Sequence, residues 1–254
     1  MDCLIGYTGF VGSNLCRQRS YDELINSKNF RSMAGKHYNR LVCAGVSAVK
    51  WKANKDPETD LRHIDELIEI LKTVSADKMI LISTIDVYPV NRNADEDTDC
   101  HNPNHHAYGR HRLYFEDFCR SHFSNMLCVR LPGLFGVGIK KNVIFDLLNH
   151  NCLDMINPSS CFQYYDLNNL SEDIELAEMR NIKLLNLFTE PVATKEILQQ
   201  FFPDVTVGEN AVAPVSYDLN TKYASLRNHS GKYLYTKQEI MAQLAEFIRG
   251  YQNV

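Results

Sequence analysis

The chain has 254 residues, enough for a substantial core in one domain or in one domain with a small lobe. Its composition, 44% hydrophobic and 23% charged, excludes a disordered chain, and a formal net charge of −4 without a basic block excludes nucleic acid or an anionic membrane as the main partner. No apolar run approaches the ~20 residues of a membrane span, and the first residues lack the basic and apolar regions of a secretory signal, so a cytoplasmic protein is expected.

Cys3-Leu4-Ile5 is a short apolar run that reads as a buried strand, and GYTGFVG follows with glycines at 6, 9 and 12. Glycine loses more backbone freedom on folding than any other residue, so three in one turn imply a need for bare backbone. Residues 11–18 open a helix. A strand, a glycine turn and a helix can set backbone N–H groups against a phosphate, or can simply let the helix pack closely on the strand. Further on, 23–26 predicts a second short strand and 39–46 a nearly continuous buried one. Residues 60–74 carry Leu61, Ile64, Leu67, Ile68 and Leu71 at amphipathic helical spacing. Residues 78–89 read as a strand ended by proline, 106–123 as a helix, and 126–136 as another strand running into Pro132-Gly133. This alternation predicts an α/β fold, a Rossmann-type doubly wound parallel sheet with helices on both faces.

Past residue 138 the pattern changes. Residues 142–150 predict a helix, 161–178 a short strand and then a helix, and 182–188 a strand. The last two helices begin near Thr194 and Thr236, each expected as N-cap, and Glu239 completes a capping box with Thr236. We therefore read 1–138 as a dinucleotide-binding domain and 139–254 as a small C-terminal substrate lobe interleaved with the end of the sheet.

A second constellation accompanies the glycine turn. Ser83 and Thr84 stand near the end of a predicted strand, at the sheet edge where open α/β folds bind ligands. Tyr108 follows Thr84 by 24 residues, in the first turn of the next helix, and Arg112 lies one helical turn further on the same face. A cation there is expected to favour the phenolate and draw the tyrosine pKa down from its ordinary ~10.

Taken in order, GYTGFVG, LISTIDVYP, YGRHR and RLPGLFGVG resemble the motifs of the extended short-chain dehydrogenase/reductase family, NAD(P)-dependent epimerases, dehydratases and reductases of nucleotide sugars. The resemblance covers most of the chain and is strongest over 1–136. It implies a catalytic set of Thr84, Tyr108 and Arg112 with Ser83 beside them. With these motifs in place, a dinucleotide is expected at Gly6, Thr8, Gly9, Phe10, Val11, Gly12, Ser27, Lys28, Ala44, Gly45 and Pro132, and a substrate at Asp86, His106, Lys141, Asn142, Gln163 and Tyr164. Arg112 stands where the family has lysine; it keeps the charge but cannot shuttle a proton. No acidic residue closes the second strand, and Asn26-Ser27-Lys28 suits the 2′-phosphate of NADP, with NAD as the other possibility. Dehydratases of this family carry an Asp-Glu pair after the threonine; Ile85-Asp86 lacks one carboxylate, which disfavours elimination and favours reduction or epimerisation at a sugar carbon.

The remaining features are weaker. His101, His105 and His106 read as an exposed loop at the cleft mouth rather than a metal site, and Trp51 as a cover for the cleft edge. Lys140 and Lys141 suit either a substrate diphosphate or a solvated turn. Eight cysteines without a CxxC pair read as buried free thiols. A homodimer is possible, by analogy with relatives that pair through the helices at 60–74 and 106–123. Two other readings stand beside the enzyme: a catalytically inactive NADP-binding sensor or scaffold of the same fold, which would bind without turnover, and a reductase of isoprenoid- or flavonoid-type carbonyls, which would need an apolar pocket.

Overall fold

The structure, a computed structural model, describes residues 1–252. Its elements in chain order are β1 (Asp2–Ile5), α1 (Phe10–Gln18), β2 (Glu23–Ile25), β3 (His37–Cys43), α2 (Lys50–Lys55), α3 (Pro57–Leu71), β4 (Ser75–Thr84), α4 (Ala107–His122), β5 (Met126–Leu131), β6 (Gly133–Phe135), α5 (Val143–Leu148), β7 (Cys161–Phe162), β8 (Tyr164–Asp166), α6 (Leu170–Met179), β9 (Leu184–Asn186), β10 (Val192–Ala193), α7 (Thr194–Phe201) and α8 (Lys237–Gln252). Six strands form a parallel central sheet in the order β2-β1-β3-β4-β5-β9. The expected Rossmann-type fold is therefore present.

The register explains why the strands are apolar almost throughout. Leu4 pairs with Leu24 and Val42, and Val42 with Ile80, along one row of the sheet. The alternate residues Cys3, Ile5, Leu41, Cys43, Met79 and Leu81 meet Ile64, Leu67, Ile68 and Leu71 of α3 and Phe115 and Cys119 of α4 in one buried cluster. A parallel sheet buried on both faces demands this composition. The strand order reverses between β1 and β3, which makes the carboxyl ends of those strands the binding crevice of such a fold. Between β2 and β3 the chain fits only a 3₁₀ turn, Phe30–Met33, so no further strand lies beyond β2 among the described residues.

Close packing at the first turn is the reason for two of its glycines. Gly6 has φ +86°, and a Cβ there would run into the carbonyl of Ala44 at the end of β3. A Cβ on Gly12 would run into the carbonyl of Gly6. Gly6 N donates to Ile25 O at 2.7 Å and Ala44 N to Ile5 O at 2.9 Å, which ties the ends of β1, β2 and β3 together.

Several boundaries differ from the sequence reading. β4 stops at Thr84 because the Thr84 hydroxyl accepts the Asp86 N–H at 3.1 Å and starts a 3₁₀ turn, Ile85–Val87. β5 stops at Leu131, before Pro132; Gly133–Phe135 turns to pair with β8, Gly133 N donating to Gln163 O at 3.0 Å. α2 went unpredicted. The N-cap of α7 is Ala193, whose N–H donates to Glu196 Oε2 at 2.9 Å, so Thr194 sits one residue inside the helix. At α8 the capping box forms as expected: Thr236 N donates to Glu239 Oε2 at 2.7 Å and Glu239 N to Thr236 Oγ1 at 3.3 Å. All eight cysteines are free, and five are buried. Burial raises the thiol pKa of Cys3 to about 12 and of Cys43 to about 11, which leaves both unreactive.

The chain divides into two compact units. The first comprises Met1–Pro89, Asp97–Arg130 and Leu170–Leu185 and contains most of the sheet; the second comprises Val90–Glu96, Leu131–Asn169 and Asn186–Val254. The cut falls at Arg130 rather than 138, and the chain returns to the first unit at 170–185 because α6 leads into β9 beside β5. Inside the second unit, buried Glu96 accepts from Asn186 N at 2.8 Å, Thr221 Oγ1 at 2.7 Å and Lys222 N at 2.9 Å. Among the described residues no helix is long and apolar enough to cross a membrane.

The packing account of the glycine turn makes a prediction. Gly12→Ala should lose about 1–3 kcal/mol through overpacking. Gly35→Ala, at φ +73° with open space around its Cβ, should lose about 1 kcal/mol from backbone strain alone. Urea unfolding should show Gly12→Ala as the larger loss; equal losses would remove the steric argument.

Candidate active site

The carboxyl ends of β1, β2 and β3 build the first part of the site. Gly9 is the N-cap residue of α1 and is exposed with Thr8; Phe10 and Val11 are partly buried. The first N–H groups of a helix have no intrahelical acceptor and carry its positive dipole end, which suits a phosphate. Gly6 and Gly12 are explained by packing, so Gly9 is the glycine at which bare backbone faces outward. After β2, Asn26 Oδ1 accepts Lys28 N at 2.8 Å and Asn26 Nδ2 donates to the Tyr7 hydroxyl at 3.2 Å. This turn leaves the side chains of Ser27 and Lys28 exposed. After β3, Ala44 is partly buried and Gly45 exposed. Pro132, at the end of β5, is buried in the second unit. The glycine turn, the helix end and a β2 turn that carries Lys28 and no carboxylate fit a dinucleotide in polarity.

The second part joins β4 to α4. Tyr108 is 5% exposed, and its N–H donates to Asn54 Oδ1 of α2 at 2.9 Å. The Thr84 side chain stands close enough to the Tyr108 phenol to act on its pKa, lowering it. Arg112 stacks on the same tyrosine, its guanidinium carbon 4.2 Å from the ring centre. The Arg112 guanidinium is also clamped: Nη1 donates to Asp60 Oδ2 at 2.7 Å, Nη2 to Asp60 Oδ1 at 3.0 Å, and Nη2 to the Ser47 carbonyl. His111 Nδ1 meets the same Asp60 at 2.8 Å. Burial alone would push the Asp60 carboxyl up, but the hydrogen bonds and charges of Arg112 and His111 hold it below its ordinary value.

This clamp overturns one expectation. Burial, the largest influence, raises the Tyr108 pKa; the Arg112 charge and the Thr84 side chain oppose it and do not prevail. The tyrosine is held as a phenol. Arg112 is half of a buried ion pair with Asp60, and its charge is largely answered there.

Ser83 is a second correction. Its hydroxyl donates to Glu116 Oε1 at 2.5 Å, and Arg130 grips Glu116 from Nε at 3.1 Å and Nη2 at 2.6 Å. Strand residues alternate in direction, so Thr84 and its neighbour serve different surroundings. Ser83 belongs to a core network, where burial lowers and Glu116 raises the affinity of Arg130 for its proton, the rise prevailing.

Beside Tyr108 stands a charged cluster. Lys50 Nζ donates to Asp86 Oδ1 at 2.6 Å, and His106 Nε2 lies 4.0 Å from the same oxygen. His106 caps α4 by accepting Gly109 N–H at Nδ1, 2.9 Å away, and stacks with His105 at 3.9 Å between ring centres. His105 Nε2 donates to the Asp86 carbonyl at 2.7 Å. His101 lies apart, exposed between Asp99 and Asp117 at 2.6 and 2.9 Å. Among the described residues no group of His, Cys, Asp and Glu is arranged to hold a metal ion. Lys50, Asn54 and Asp60 were missed in the sequence; the one signal was the four-residue spacing of Lys50 and Asn54, which a helix places on one face. Trp51 is 70% exposed on α2.

The expected substrate residues of the second unit divide by burial. Lys141 is exposed. Asn142 caps α5, its Oδ1 accepting from Ile144 N at 3.0 Å and its Nδ2 donating to Leu134 O at 2.8 Å. Gln163 is buried, donating to Thr189 O at 2.6 Å and Leu219 O at 2.8 Å and accepting from Leu219 N at 2.9 Å. Both amides are thus occupied inside the unit, which corrects their assignment as substrate contacts. Tyr164 is likewise buried, and burial raises its phenol pKa well beyond the ordinary tyrosine range.

Residues 37–156 match the model of the NAD dependent epimerase/dehydratase family. No curated protein sequence matches the chain. Solved structures match its fold over nearly all of its length. MoeE5 in complex with UDP-glucose and NAD is 14% identical with a TM-score of 0.74, over 100% of this chain and 99% of that one. UDP-glucose 4-epimerase of Thermotoga maritima is 13% identical with a TM-score of 0.73, over 100% and 99%. The dTDP-4-dehydrorhamnose reductase of Yersinia enterocolitica is 12% identical with a TM-score of 0.72, over 98% of each chain. The family match lies at the centre of the chain, and the chain is similar in fold to these epimerases and reductases from end to end.

Proposed function

We propose that the protein is a nicotinamide-dependent reductase or epimerase of a nucleotide-linked sugar, with Tyr108 as its proton-transfer group. The observation that carries this reading is the placement of the Thr84 side chain, at the end of β4, beside the Tyr108 phenol. The structural neighbours that hold UDP-glucose and NAD, or that act on UDP-glucose and dTDP-4-dehydrorhamnose, support the substrate class.

The glycine turn would hold the pyrophosphate through Gly9 and the first N–H groups of α1, with Ala44 and Gly45 beside it. Ser27 and Lys28 offer a hydroxyl and an ammonium to a 2′-phosphate, which favours NADP over NAD. A nicotinamide bound there supplies the hydride donor or acceptor. Tyr108 gives its phenol proton to a sugar carbonyl oxygen in reduction and takes the hydroxyl proton back in oxidation, while Thr84 hydrogen-bonds the same oxygen. A phenol already protonated at neutral pH suits the reductive direction. Asp86 without a second carboxylate beside it leaves elimination unsupported. The other reading, binding without turnover, draws on the Asp60 clamp, which removes Arg112 from the role that lysine has in the family.

Tyr108→Phe should lower hydride exchange between NADPH or NADH and a nucleotide sugar by about 10²- to 10⁴-fold and leave cofactor affinity unchanged; full turnover in that variant would remove the assignment. Because its pKa is raised, reductive turnover should stay level through neutral pH and fall only above the ordinary tyrosine value of ~10. Arg112→Met should cost about 3–5 kcal/mol by leaving the buried Asp60 carboxylate with His111 as its remaining side-chain partner. The stabilisation tied to Asp60 is present above its unfolded pKa of ~3.9 and is lost as pH falls through the lower folded value. The cost of Arg112→Met, read from urea unfolding by circular dichroism, should therefore shrink as pH falls through that range, and a cost independent of pH would contradict the pairing.

A further inference from the structure

The cluster beside Tyr108 contains a donor that is fixed in direction and not yet matched. His106 accepts the Gly109 N–H at Nδ1, so in the neutral ring the proton resides on Nε2. That Nε2 faces the Asp86 carboxylate at 4.0 Å, beyond hydrogen-bond distance. Asp86 Oδ1 already accepts from Lys50 Nζ at 2.6 Å. The His106 ring is partly exposed, and its centre lies 6.3 Å from that of Tyr108. A sugar presents oxygens on neighbouring carbons at about the spacing of a hydrogen bond, so a sugar held at Tyr108 brings a second oxygen to the side of the site on which the His106 ring stands.

We propose that His106 is a second substrate-contacting residue, a neutral Nε2–H donor to the oxygen on the sugar carbon adjacent to the one Tyr108 serves, with Lys50 and Asp86 as its positioning pair. The inference rests on the nucleotide-sugar reading of the site. A neutral imidazole polarises an oxygen without surrendering a full charge, and a helix N-terminus is the place where such a ring is kept neutral. The groups around it agree. Burial pushes the His106 pKa down, Lys50 and His105 push the same way, and Asp86 alone among its charged neighbours pulls it up. Lys50 acts on the ring by its own charge and also answers the Asp86 charge that would otherwise draw a second proton onto the imidazole.

The test uses the full chain labelled with ¹⁵N, with His106→Asn to assign the ring signals. Asn can still accept the Gly109 N–H, so the cap survives while the Nε2–H is lost. At neutral pH the ring should be the neutral Nε2–H tautomer. Its midpoint should rise in Lys50→Met and fall in Asp86→Asn. UDP-glucose added to the NADP-saturated protein should shift the His106 signals, and His106→Asn should lose about 10²-fold in kcat/KM with NADP affinity retained. An imidazolium or an Nδ1–H tautomer at neutral pH, a midpoint indifferent to Lys50→Met, or wild-type turnover in His106→Asn would each overturn the inference. A wild-type protein that exchanges no hydride with UDP-glucose would fail the functional reading instead; the tautomer and its response to Lys50 would still decide the fate of the neutral donor.

Discussion

The buried bond between Asp60 and Arg112 is the constraint on which the site depends. It joins the first turn of α3 to the second turn of α4, and it fixes the guanidinium against the face of Tyr108. Arg112 lies over the Tyr108 ring, Asn54 holds the Tyr108 N–H, and the Thr84 side chain at the end of β4 stands beside the phenol. The bond also sets the electrostatics. A guanidinium shared with a carboxylate exerts only part of its charge on the tyrosine, and burial then decides the protonation state. The site thus pairs a protonated phenol with a hydroxyl, an arrangement built to donate.

Much of this was readable in the sequence. The periodicity of 60–74 and 106–123 and the apolar runs at 3–5, 39–46 and 126–131 pointed to the doubly wound sheet, because a strand buried on both faces and a helix buried on one leave different patterns. The position of Thr84 and Tyr108 followed from strand ends and helix starts. What was not readable depends on partners far away in the chain. Asp60 stands 52 residues before Arg112, and nothing local announces that it will take the guanidinium. Ser83 and Thr84 are adjacent hydroxyls, and only the direction of the strand shows that one turns to Glu116 and the other to Tyr108.

The glycine turn shows a different kind of ambiguity. Its sequence fits both phosphate approach and close packing, and the structure shows the packing role at two of the three glycines. Gly6 and Gly12 answer to the carbonyls of Ala44 and Gly6, while Gly9 remains exposed at the helix end. α2 escaped for a reason of length: six residues hold less than two turns, too few for a periodic signal, yet that helix delivers both Lys50 and Asn54 to the site.

The most direct measurement is a crystal structure of the protein with NADP or NAD and a nucleotide sugar bound. The account predicts one sugar oxygen within hydrogen-bond distance of both the Tyr108 phenol and the Thr84 hydroxyl, with the nicotinamide beside that carbon. A sugar bound away from both hydroxyls, or a coenzyme that avoids the turn at Gly9, would contradict it.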